Sequence, residues 1–104
     1  MRRAAKVDAN QPEIVQALRQ AGATVQSLAA VGSGVPDLLV GFQGKTALIE
    51  VKDSAKPPSA RCLTEDQLDW HGKWRGGTLA VVCDVDSALR VLGVMKRGEL
   101  MEAF

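Results

Sequence analysis

The sequence predicts an α/β fold, a small mixed β-sheet flanked by helices. Three observations lead there. One segment near the N-terminus repeats its apolar residues at helical spacing, two β-branched apolar runs meet at Gln43-Gly44, and a further apolar run at 78–83 lies between two helical patterns. Together they give the order α-β-β-β-α-β-α.

The first helix is expected over 10–21, where Ile14, Ala17, Leu18 and Ala21 line one face, Pro12 sits in the first turn and Gly22 stops the run. A strand is expected over 25–31, ended by Gly32-Ser33-Gly34. Runs 37–42 and 45–52 read as a hairpin with Gln43-Gly44 as its turn. Both of its faces carry apolar residues, Leu39 and Leu48 on one, Leu38, Val40, Ile49 and Val51 on the other, so helices are expected on two sides of the sheet. The stretch 53–61, with two prolines and small polar residues, has no regular pattern. A second helix is expected over 64–75, a buried strand over 78–83, and a short third helix over 86–92 capped by Asp84 or Asp86.

A chain of 104 residues, 46% of them hydrophobic and 24% charged, suffices for one domain spanning 1–104. Its apolar runs are too short to cross a bilayer and the N-terminus lacks a secretion signal, so a soluble, cytoplasmic protein with no membrane partner is expected. Cys62 and Cys83 lack close metal-ligand spacing and read as free thiols. A net charge of +1 excludes the strongly basic profile of a chain that holds nucleic acid by charge alone, while Lys52, Lys56 and Arg61 leave room for a local basic patch.

The hairpin register carries the chemistry. With Gln43-Gly44 as the loop, Phe42 faces Lys45, Gly41 faces Thr46, and Asp37 falls opposite Glu50. Two carboxylates about 5 Å apart repel one another and call for a neutralising charge. A hard divalent cation such as Mg²⁺ or Mn²⁺ supplies it, because such ions take oxygen ligands and accept two carboxylates while keeping waters. Alternation along the strand puts Lys52 on the same face as Glu50. A cation, two acids and an ammonium suit phosphodiester hydrolysis, in which the cation polarises the phosphate and activates water while the lysine stabilises charge or orients that water. The inference depends on register, since a slip of one residue would turn one acid to the other face.

These residues also carry a resemblance. Val35-Pro36-Asp37 followed by Ile49-Glu50-Val51-Lys52 resembles the motif of the PD-(D/E)XK nuclease superfamily. Glu13, then Gly34-Val35-Pro36-Asp37-Leu38, Glu50-Val51-Lys52 and Gln67 stand in the order seen in virus-type replication-repair nuclease domains and archaeal Holliday junction resolvases, over most of residues 8–84. The resemblance implies a restriction-endonuclease-like core and Mg²⁺- or Mn²⁺-dependent cleavage of DNA, branched DNA such as four-way junctions in particular. It assigns the metal to Asp37, Glu50 and the Val51 backbone carbonyl with support from Glu13, and catalysis to Asp37, Glu50, Lys52 and Gln67.

Plainer roles stand beside these. Glu13 follows Asn10 at capping-box spacing, and Gln67 follows Thr64 likewise. Gln67, Trp70, His71 and Trp74 share one helical face, which the tryptophans mark as inward, so His71 reads as a core or rim residue and the tryptophans as packing. Ser33, Lys56 and Arg61 are surface residues that could contact phosphate. The apolar residues Val94, Met95, Leu100, Met101 and Phe104 near the C-terminus suggest a homodimer contact, and a two-fold pair would let one small domain address two strands. The alternative to an enzyme is a nucleic-acid-binding or assembly module on the same fold, or an interaction protein on a generic α/β fold.

Overall fold

The computed structural model describes residues 7–97. Its elements are α1 (Gln11–Gln20), β1 (Thr24–Ser27), β2 (Leu38–Phe42), β3 (Lys45–Val51), a 3₁₀ turn (Pro58–Arg61), α2 (Glu65–Lys73), β4 (Thr78–Val82) and α3 (Val85–Arg97). The order is the expected one, with the 3₁₀ turn added inside the proline-rich stretch. The four strands form one mixed sheet in the order β1-β2-β3-β4, antiparallel across the first two pairings and parallel between β3 and β4.

Gln43 and Gly44 both adopt positive φ, 50° and 79°, the backbone of a two-residue turn whose twist matches that of the flanking strands. This turn fixes Phe42 opposite Lys45 and Leu38 opposite Ile49, the register expected from the loop position. β1 is shorter than expected. It ends at Ser27, and Leu28 to Val31 instead turn back, with the Leu28 N–H donating to the Asp37 carbonyl and the Val31 N–H to that of Leu28.

Alternation divides the sheet into two unlike faces. Val25, Leu38, Val40, Ala47, Ile49, Val51, Ala80 and Val82 form one buried face, packed under Ile14 and Leu18 of α1 and Ala88, Val91, Leu92 and Met95 of α3. The Val, Leu, Ile and Met side chains among them contribute about 1.5–3 kcal/mol each when fully buried, and this layer is the core. α3 runs on to Arg97, so of the residues expected at a dimer contact Met95 is instead a core residue and Val94 is half-buried in the helix. The helix continues because Val91, Leu92 and Met95 keep helical spacing and the sheet supplies a surface for them to cover. Leu100, Met101 and Phe104 lie outside the described residues.

On the other face α2 lies over the C-terminal half of β3. None of its residues is fully buried, and Leu39 and Val81 on this face stay 39% and 47% exposed. Helices therefore sit on both sides, as expected, but the second side is only partly covered. No helix among the described residues is long and apolar enough to cross a membrane.

Candidate active site at the open end of the hairpin

The site forms where β2 and β3 emerge beyond the hairpin register. Asp37 is the residue before β2, 7% exposed, and its Oδ2 accepts a 2.7 Å hydrogen bond from the Val51 N–H. In an extended strand the N–H and C=O of one residue lie on the same edge, so the Val51 carbonyl faces the Asp37 side as well. Glu50 is 1% exposed and Lys52 8%, both on the face that α2 covers.

α2 completes the site with polar side chains. The Gln67 Nε2 donates to Glu50 Oε2 at 3.2 Å, while its Oε1 accepts from Lys52 Nζ at 2.7 Å. The same Oε1 accepts from the Thr64 N–H at 2.8 Å, and the Gln67 N–H donates to Thr64 Oγ1. The capping role and the site role of Gln67, alternatives in the sequence, are thus performed by one amide. Orienting the lysine and the glutamate in this way needs no apolar anchoring of α2.

Two close approaches hold these elements. A Cβ on Gly34, at φ +82°, would lie 2.3 Å from the Asp66 carbonyl oxygen, so only glycine lets this loop rest on the first turn of α2. At the opposite side the Asn10 Nδ2 donates to the carbonyls of Lys52 and Cys83 at 3.1 and 3.0 Å, tying the start of α1 to the ends of β3 and β4. Asn10 consequently does not cap α1 with its side chain, and Glu13 is not the partner of a capping box.

The electrostatics concentrate on Glu50. Burial, followed by the hydrogen bonding and negative charge of Asp37, pushes its carboxyl up to about 9, with Lys52 pulling the other way and Asp8 adding to the rise. Its Oε1 is buried without a hydrogen-bond partner. His71 Nε2 stands 3.6 Å from that oxygen and is also buried and unpartnered. Burial and the Lys52 charge hold the His71 pKa below its usual value, which favours the neutral imidazole.

The structure thus brings together Asp37, Glu50, Val51, Lys52 and Gln67. Glu13 stands apart from them, exposed in the first turn of α1 and without a side-chain hydrogen bond among the described residues. Lys56 is tied to Asp8 through a 2.6 Å ion pair, Arg61 is half-buried with its Nε unpartnered, and Ser33 is exposed at φ +59°. Sequence reasoning missed three residues. His71 shares a face with Gln67 and could have been placed by the same helical spacing, whereas Asp8 and Asn10 precede the helix and carried no signal of their closeness to β3.

The donor chemistry fits a hard cation: two opposed carboxylates, one with a buried unpartnered oxygen, beside a strand carbonyl. Among the described residues no three His, Cys, Asp or Glu side chains are gathered into a ready cage. The donors come as pairs, Asp37 with Glu50 and Glu50 with His71. Comparisons with protein-family models, curated proteins and solved structures gave no match for this chain.

Proposed function

We propose that this chain is a divalent-metal-dependent nuclease that hydrolyses phosphodiester bonds in DNA, on a restriction-endonuclease-like core. The observation that carries the reading is the buried Glu50. It is held against Asp37, joined to Lys52 through Gln67, and left with an oxygen that no protein group satisfies. Buried acids of this kind cost several kcal/mol unless something compensates them, and perturbed groups of this sort concentrate at functional sites.

Asp37, Glu50 and the Val51 carbonyl would hold Mg²⁺ or Mn²⁺, which when bound supplies Lewis-acid polarisation of the phosphate and a more acidic water. Lys52 presents its ammonium to the scissile phosphate and stabilises the charge that develops there. Gln67 fixes the Lys52 amine and the Glu50 carboxylate at once, so that neither pays to reorganise during reaction. Branched DNA is the proposed substrate class. A homodimer belongs to the same proposal, since a two-fold pair would let one small domain address two strands.

The test is cleavage of a labelled four-way junction and its matched linear duplex with Mg²⁺, Mn²⁺ or EDTA, using wild type, Asp37→Asn, Glu50→Gln and Lys52→Ala. Metal-dependent cutting that both acid variants lose is expected, with Lys52→Ala lowering turnover about 100-fold or more and binding much less. Retained activity in both acid variants would sink the site. DNA binding without cutting under any metal would favour the nucleic-acid-binding module instead.

A further inference from the structure

We propose that His71 is a ligand to the divalent cation of this site, sharing it with Glu50 and shifting its preference toward transition metals of borderline softness. The inference rests on the metal-site reading above and deepens it.

His71 Nε2 and Glu50 Oε1 face each other at 3.6 Å, the imidazole side chain 13% and the carboxylate 2% exposed. Neither atom has a hydrogen-bond partner among the described residues. That separation is long for a hydrogen bond, and two unsatisfied polar atoms are costly to bury together. A cation held by both atoms would satisfy the two of them at once.

Other groups leave this position to the imidazole. Gln67 occupies the second Glu50 oxygen, and the Lys52 ammonium donates to Gln67 Oε1. Trp70 lies edge-on to His71 with ring centroids 6.3 Å apart. The ring is thus presented by a helix whose N-terminus is held by the Thr64–Gln67 capping box and by its close approach to Gly34. A nitrogen donor changes the selectivity. Carboxylates and carbonyls suit Mg²⁺ and Ca²⁺, whereas imidazole favours Zn²⁺ and Co²⁺ and helps Mn²⁺ over Mg²⁺.

The chain has a single histidine, so its imidazole nitrogens give one unambiguous signal in a long-range ¹H–¹⁵N spectrum. Zn²⁺ is added to the ¹⁵N-labelled wild-type protein at pH 7.5, alongside Glu50→Gln, and Co²⁺ affinity is measured calorimetrically for wild type and His71→Ala. The expected result is a stoichiometric shift of Nε2 into the metal-coordinated range in wild type, weakened in Glu50→Gln. A loss of Co²⁺ affinity of about tenfold or more is expected in His71→Ala, since even outer-shell partners of a ligand cost about 10- to 100-fold. Mg²⁺ affinity should change far less. An unmoved imidazole signal with metal bound, or a shift indifferent to Glu50→Gln, would overturn the assignment. In that event Mg²⁺-dependent cleavage lost in Glu50→Gln would leave the nuclease reading standing, whereas absence of cleavage and of metal binding together would end both.

Discussion

Glu50 shows how one buried acid can shape the behaviour of a small protein. When unfolded it sheds its proton near 4.5, and when folded it keeps that proton up to about 9. Between those values the unfolded chain binds fewer protons than the native one, so stability falls as pH rises through the window, by at most about 1.4 kcal/mol per pH unit. In metal-free buffer the wild-type melting temperature should therefore drop between pH 5 and pH 9. Glu50→Gln, which keeps a hydrogen-bonding group without the charge, should show a flatter profile and exceed wild type at the alkaline end. Parallel thermal melts of the two proteins measure this, and identical slopes would remove Glu50 as the cause. The sequence exposed Asp37, Glu50 and Lys52 because strand alternation and a two-residue turn are rigid rules of geometry. Helical spacing put His71 on the same face as Gln67, but its approach to Glu50 depends on how α2 is seated.

α2 is an element held in place by caps and close approaches more than by burial. Its N-terminus has a full capping box, and its backbone lies where only a glycine at position 34 can meet it. Gly34→Ala should cost about 2 kcal/mol or more, from the left-handed backbone and from overpacking against Asp66. On the proposed nuclease reading, it should also lower DNA cleavage beyond what the lost stability explains, by moving Gln67 off Lys52 and Glu50. Chemical denaturation and turnover measured on the same preparation separate the two effects. Thr64→Ala removes the cap at a cost of about 1 kcal/mol and should move Gln67 in the same sense, read as a lower denaturation midpoint. Both predictions fail if α2 retains the Gln67 bridge without its backbone anchors. The helix itself was legible from the Thr64 to Gln67 spacing, and its inward face from Gln67, Trp70, His71 and Trp74. The glycine contact was not, because it joins residues 32 positions apart through backbone atoms that carry no side-chain signature.

At the scale of the whole molecule, the single apolar layer between the sheet and α1 with α3 carries the fold. Leu18 is fully buried in it, and Leu18→Ala should destabilise the protein by about 2–5 kcal/mol. A loss below 1 kcal/mol on urea denaturation would mean that α1 does not depend on this layer. The α-β-β-β-α-β-α order, the hairpin turn and the apolar face of the sheet were determined by the sequence itself, because turn chemistry and side-chain periodicity act over a few neighbouring residues. Tertiary structure alone decided the rest. It shortened β1, extended α3 across the sheet, made β4 parallel to β3, and gave Asn10 to the ends of two strands in place of a helix cap. It also left Glu13 in the open while setting a histidine against the buried glutamate. Those outcomes follow from which surfaces remain to be covered once the sheet has formed, a balance among distant segments that no local spacing encodes.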